Sequence, residues 1–382
     1  MTEKPFKPVR LEHVELRGFK SIGALSLDLS KLDLLIGPNG AGKSNLIDFL
    51  RFLGFMLSSE SGLANFVGLA GGASVLLHGG PKQTREIEAH LRIRTGQGVN
   101  DYAFRLGHAS GDTLIFLEER CRFSANGRKQ NPNWIDLGSG HKFPQLMRAG
   151  EEGGAGKTRQ TLLHLLRRIA VYQFHDTSAE APMKQLSPVE DWRYLRSDGR
   201  NLAAFLLEMR SSQRAYYDRI VETLRLVAPY FDDFVLEPEY GRVLLRWREI
   251  GSNLEFGPGQ ISDGTLRAIG LLSLLLQSPD TMPSMIILDE PELGLHPYAI
   301  RIIAGAIKAV SETRQCLVAT QSPQFLNAFE PDNVVVVERK QRGSTFTRLS
   351  QDSLKTWLDE YQLAELWDMN LLGGRPEPLA AE

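Results

Sequence analysis

The eight residues from Gly37 to Ser44, "GPNGAGKS", constrain this chain more than any other stretch. They fit the pattern G-x-x-x-x-G-K-[ST], follow the apolar run "LDLLI" and precede "SNLIDFLRFLGFMLSS". A strand, a glycine-rich turn and a buried helix in that order predict a phosphate-binding loop. The small residues of Gly37, Pro38, Asn39, Gly40, Ala41 and Gly42 let backbone N–H groups wrap a phosphate. Lys43 brings a point charge to the terminal phosphates, and Ser44, just ahead of Asn45, offers a hydroxyl to Mg2+. A second stretch, "EGGAGKT" at 152–158, ends in the same letters. It has Glu151 where the first glycine belongs and no strand leading into it, so it reads as a loop.

Further along, "MIILDEPE" is an apolar strand that finishes in acids. A buried strand has little reason to end in Asp-Glu unless the charge faces a metal or a reacting water. Asp289 is therefore expected to hold Mg2+ and Glu290 to polarise the attacking water. "QISDGTL", at 260–266, sets a serine and a glycine just ahead of a long apolar helix, the arrangement of an anion site at a helix N-terminus.

Length and composition bound the setting. At 382 residues and 42% hydrophobic content, the chain can bury two or three subdomain cores. A formal net charge of -2 argues against a dedicated polyanion binder, yet residues 80–220 hold 22 Lys and Arg against 16 Asp and Glu. That local excess leaves nucleic acid open as a partner beside the plainer reading of a solvated surface. Two cysteines without a CxxC exclude a disulfide framework or a structural zinc site and fit a reducing cytoplasm. Neither a signal peptide nor a run of about 18 apolar residues is present, so no membrane segment is expected.

Residues 1–58 read as short strands, the glycine-rich loop and its helix. Residues 59–164 read as a β-rich flanking or inserted region with "EIEAHLRIRT", "YAFRLGH" and "TLIFLEERCRF" as antiparallel strands and a mobile loop over 125–160. Residues 165–259 supply a strand and a helical lobe, 260–345 alternate helix and strand, and 346–382 form a helical tail. The apolar strands "SMIILDE" and "QCLVATQ" belong in a parallel sheet covered on both faces. The expected fold is α/β, with a mixed or parallel core sheet, an antiparallel β subdomain and a helical lobe.

The succession "ELRGFKSI", "GPNGAGKS", "VYQFHD", "ISDGTLRAIGLL", "IILDEPELGLHP" and "VATQSP" resembles ABC-type ATPases of the RecF and structural-maintenance-of-chromosomes kind. It looks closer still to stand-alone ATPases grouped with OLD-type proteins. The resemblance covers residues 10–58 and 165–340. It implies ATP and Mg2+ as ligands, slow ATP hydrolysis, and a head-to-tail homodimer that sandwiches two nucleotides. Ser262, Asp263 and Gly264 would then be the signature that meets the partner's ATP, with Asp263 replacing a glycine common in transporters. Gln173 would be the Q-loop residue that senses Mg2+ and water, and Gln321 would stand where many relatives carry a switch histidine. Glutamine can donate a hydrogen bond but cannot relay a proton by titration. OLD-type nucleases carry a TOPRIM domain after this core, and the roughly 60 residues after "TQSP" are too few for one. The expected output is a DNA-associated switch, in repair or anti-phage defence, with a separately encoded effector. A transporter subunit and a small-molecule kinase are the alternatives.

Overall fold

Five strands with apolar middles build the centre. Val334–Lys340, Leu32–Ile36, Gln315–Thr320, Met285–Asp289 and Ile169–Tyr172 run parallel in that spatial order, and Gly343–Arg348 joins one edge antiparallel. Their side chains alternate between two cores. Leu34, Ile286, Leu288 and Val318 face one, while Leu35, Ile287, Leu317 and Val335 face the other. Strands apolar on both sides must be covered on both faces, as the sequence predicts. The computed structural model describes residues 9–127, 132–148, 154–341 and 343–373.

On the first face pack the helices Leu202–Ser212, Arg214–Val227, Asp263–Leu275 and Pro297–Ser311. A three-stranded sheet of Phe231–Val235, Arg246–Glu249 and Glu255–Phe256 completes that lobe. The second face receives the helix Lys43–Met56, whose Phe49, Leu50 and Phe52 are fully buried. Beyond that helix lies a six-stranded antiparallel sheet in the order Ile22–Asp28, Arg10–Phe19, Glu86–Thr95, Gly98–Ala109, Thr113–Ala125 and Ile135–Gly138. Phe19 of this sheet meets Phe49 edge-on at 5.7 Å, so the loop's helix is clamped between two sheets. Val14 pairs with Leu91, which joins the N-terminal strands to those after residue 85 in one sheet.

Two expectations need correction. The stretch 152–158 is not a loop, because the helix Gly154–Leu166 begins within it. Leu162, Leu165 and Leu166 are buried at helical spacing, and that burial outweighs the glycines at the helix start. The expected loop over 125–160 also contains the strand Ile135–Gly138 and the turn Gln145–Met147. Leu137 and Leu146 anchor these in the core, and Glu119 accepts from the N–H of Gln145 at 2.7 Å. Residues 128–131 and 149–153, part of the loop expected to be mobile, lie outside the described residues. At the C-terminal end the strand Gly343–Arg348 is followed by the helices Gln351–Leu358 and Leu363–Asp368. No helix among the described residues is long and apolar enough to cross a membrane.

Candidate nucleotide site

The strand Leu32–Ile36 delivers the chain to Gly37, where a Cβ would stand 2.1 Å from the carbonyl oxygen of Val337. Gly40 and Gly42 take φ values of 78° and 117°, which L side chains rarely adopt. The helix Lys43–Met56 starts at once after Gly42, so its free N–H groups open toward the loop. From behind, the Ser344 hydroxyl donates to the Ala41 carbonyl at 2.6 Å and lies 2.6 Å from the Ser21 hydroxyl. Asn45 Nδ2 donates to that same Ser21 oxygen at 2.5 Å. Ser21, from the turn between two N-terminal strands, and Ser344, from the distant strand Gly343–Arg348, therefore set the loop's curvature.

Lys43 is only 5% exposed, and its Nζ donates to the carbonyls of Gly37 at 2.6 Å and Pro38 at 3.2 Å. Burial lowers the Lys43 pKa, while the carboxylates of Glu290, Asp289 and Glu292 act to raise it. The ammonium thus sits in the field of three acids. Asn39, Gly40 and Ser44 are exposed.

Those acids are held by residues from neighbouring strands. Gln173, just past the edge strand, donates from Nε2 to Asp289 Oδ2 at 2.9 Å. His175 Nε2 donates to the Asp289 carbonyl oxygen at 2.7 Å. Gln321 Nε2 donates to Glu290 Oε1 at 2.8 Å, and the Glu290 N–H donates to the Ala319 carbonyl at 2.8 Å. Glu290 has φ of 46°, a left-handed conformation that costs a residue other than glycine about 1–3 kcal/mol. Strain of that kind collects where a side chain must be aimed. The structure thus brings Lys43, Gln173, Asp289, Glu290 and Gln321 into one cluster.

The segment at 260–266 is placed differently. Ser262 caps the helix Asp263–Leu275, its Oγ accepting from the Thr265 N–H at 3.2 Å. Ser262 and Asp263 are exposed. Among the described residues, no hydrogen bond runs from Ser262, Asp263 or Gly264 to residues 37–45. Gly264 has a reason within its own chain, since a Cβ there would come 2.6 Å from the Gly294 carbonyl oxygen.

Two neighbours, Glu292 and Arg267, escaped the sequence reading. Glu292 is 7% exposed and accepts from the Thr320 hydroxyl. Burial raises the Glu292 pKa, against the lowering effect of that hydrogen bond. Arg267 donates to three backbone carbonyls: His175 at 2.9 Å, Leu293 at 3.0 Å and Phe174 at 3.3 Å. It ties the helix at 263 to the segments after Gln173 and Glu292. His296 caps the helix Pro297–Ser311. Glu292 and Arg267 stand within quoted motifs, but their partners are set by tertiary packing.

A family model described as "AAA domain, putative AbiEii toxin, Type IV TA system" matches residues 34–121 and 196–327, more than half of the chain. The chain belongs to this AAA-domain family. It is an ABC-type ATPase of the RecF, SMC and OLD group. It is 24% identical over 370 residues to the Old nuclease of Escherichia phage P2, covering 88% of this chain and 60% of that protein. The chain therefore spans less than two thirds of that relative's length. It is 22% identical over 322 residues to the DNA replication and repair protein RecF of Vibrio campbellii, covering 80% of this chain and 83% of RecF. An SMC head bound to the C-winged helix domain of ScpA superposes with a TM-score of 0.60 at 16% identity, covering 92% of this chain and all of that one. The Pyrococcus furiosus SMC head with an extended coiled coil gives 0.57 at 15% identity, covering 92% and 99%. These likenesses establish an SMC-head-like ATPase fold for the AAA-domain chain.

Proposed function

We propose that this AAA-domain protein binds and slowly hydrolyses ATP, and that nucleotide closes two copies into a dimer whose state is read by a separately encoded effector in a DNA-associated system. The observation that supports it most is the pair of ties Gln173–Asp289 and Gln321–Glu290 beside the buried Lys43. Lys43 and the loop backbone bind the triphosphate, which holds a substrate in the ground state. Glu290 accepts a proton from the attacking water, and the Gln321 amide fixes the carboxylate for that task.

The donor set suits a hard cation. The Ser44 hydroxyl, the Asp289 carboxylate and the Gln173 amide offer oxygen, the ligand type Mg2+ takes. Among the described residues, no group of three His, Cys, Asp or Glu could hold a metal alone. That agrees with an ion shared between a few side chains and the phosphates. When bound, Mg2+ would neutralise charge on the terminal phosphates.

The exposed Ser262 and Asp263 suit a role on the partner copy's nucleotide. Lys43→Ala should abolish ATP binding, while Glu290→Gln should keep binding and trap a closed dimer. Ser262→Arg should leave nucleotide binding by a monomer nearly unchanged and block closure. In a mixed dimer of Ser262→Arg and Lys43→Ala chains, one site receives both lesions and the other none. That intact site should restore up to about half of wild-type turnover if the sites act independently. Turnover, affinity and molar mass are measured together. Normal hydrolysis by monomeric Ser262→Arg would refute the shared site, and an active Glu290→Gln would refute the role of Glu290.

A further inference from the structure

The parallel sheet ends in a short edge that the chain itself meets only at its far end, where the Gln173 N–H donates to the Ser197 carbonyl at 3.2 Å. Ile169–Tyr172 pairs with Met285–Asp289 on one side, and among the described residues no strand pairs with its other side. The Arg168 carbonyl accepts from the N–H of Ser284 at 2.9 Å and of Met285 at 3.5 Å, which fixes the inner side of the ladder. Alternate residues of a parallel strand turn their main-chain groups to opposite sides, so Ile169 and Val171 present theirs to the open edge. Open edges are ordinarily blunted by charge, proline or a bulge. The strand "IAVY" carries no charge and no proline.

Beside this edge runs a groove of about 530 Å3. Leu163, Ala170 and Pro283 make its wall apolar, His164, Arg167 and Arg168 add basic groups, and among the described residues no carboxylate lines it. Arg167 is exposed and uses Nε on the Leu57 carbonyl at 2.6 Å. Arg168 reaches the Met282 carbonyl. Among the described residues, neither arginine pairs with an acid. This is unlike the antiparallel sheet, where Arg92, Arg105, Arg120 and Arg122 all have carboxylate partners.

We propose that this edge and groove dock an extended segment of a partner protein that alternates apolar and acidic residues, added as one more strand beside Ile169–Tyr172. Main-chain hydrogen bonds to Ile169 and Val171 supply affinity, and the groove selects side chains. Four residues of strand span about 13 Å, so two alternate side chains meet the wall while a carboxylate reaches Arg167. The next residue in the chain is Gln173, which holds Asp289. A strand added here therefore touches the nucleotide site, a consequence that rests on the ATPase reading; the docking itself does not.

The test uses the full chain without nucleotide and two labelled peptides read by fluorescence anisotropy, Leu-Glu-Val-Glu-Leu and its counterpart with lysine in place of glutamate. The acidic peptide should bind and the basic one should not. Arg167→Glu should weaken the acidic peptide by about tenfold or more and admit the basic one. Val171→Pro removes an outward N–H that the sheet does not use, a change edge strands tolerate, and should abolish binding with an unchanged circular dichroism spectrum. Should Val171→Pro unfold the protein, the exposed Arg167→Glu still decides. Equal binding of both peptides, no binding, or an Arg167→Glu protein indistinguishable from wild type overturns the proposal. Binding of oligo(dT) that is lost with Arg167→Glu, without peptide binding, also overturns it and assigns the groove to nucleic acid.

Discussion

Gln321→Ala removes a single hydrogen bond, the 2.8 Å contact from Nε2 to Glu290 Oε1, and leaves the strand before it intact. A hydrogen bond to a charged group contributes roughly 1.5–3 kcal/mol. Gln321 is half-buried, so the lower end applies, and about 1.5 kcal/mol corresponds to about tenfold in rate. On the proposed mechanism the loss should fall on kcat, because Glu290 would act on the water and not on the bound triphosphate. Nucleotide affinity, which the same proposal assigns to Lys43 and the loop backbone, should change by less than about twofold. Single-turnover phosphate release measures the first quantity and titration with a fluorescent nucleotide the second. Adding Gln321→Ala to Glu290→Gln should cost little more than Glu290→Gln alone, since the amide acts through the carboxylate. A further full tenfold loss in the double variant, or a Gln321→Ala effect confined to affinity, would refute the assignment.

Gly264→Ala should destabilise by about 1–3 kcal/mol despite the better helix propensity of alanine, because the new Cβ meets the Gly294 carbonyl at 2.6 Å; an unchanged or raised Tm would contradict this. Burial alone would raise the Asp101 pKa, but hydrogen bonds from His90 and Arg122 outweigh it and hold the pKa at about 2. A depressed carboxylate pKa stabilises above the unfolded value and loses that contribution as pH falls through about 2. Asp101→Asn should therefore cost at least about 2 kcal/mol at pH 7 and little at pH 2, as read by urea unfolding at both. Because the arginines of the antiparallel sheet are largely paired, duplex DNA should bind residues 80–220 weakly, with a salt slope of about three phosphates or fewer; no binding at low salt, with or without ATP, would remove direct contact.

The parallel sheet was legible because its strands carry unbroken apolar runs such as "MIIL", "CLVA" and "VVVV", and the loop because glycine, lysine and serine stand at fixed offsets. Continuous apolarity leaves few alternatives to a doubly covered sheet. The start of the helix at Gly154 was not legible, although its later residues "LLHLL" read as a helix running into the strand "IAVY". Its opening, "GAGKT", sets two glycines and a β-branched threonine against its alanine and lysine, and the leucines that stabilise it lie two turns or more later. The placement of Glu292 was also hidden, since its hydroxyl partner Thr320 comes from another strand. The left-handed backbone of Glu290 leaves no mark on composition, because a glutamate tolerates that conformation only when its surroundings impose it.

What the helix at 263 contributes follows from which of its residues are already engaged. Gly264 is accounted for by Gly294, and Arg267 by the carbonyls of Phe174, His175 and Leu293. Ser262 and Asp263, at the start of the helix, remain exposed. A load applied to that exposed end cannot be absorbed locally, because the helix is buried along its length and packed cores do not deform continuously. It passes through Arg267 to the segment immediately after Gln173, whose amide holds Asp289, and through Gly294 to the segment after Glu292. The contacts that fix the acids of one copy are thus mechanically joined to the surface that would meet the phosphates of another. Arg267→Ala cuts that joint while leaving both ends in place, so it should uncouple dimer closure from turnover rather than abolish nucleotide binding.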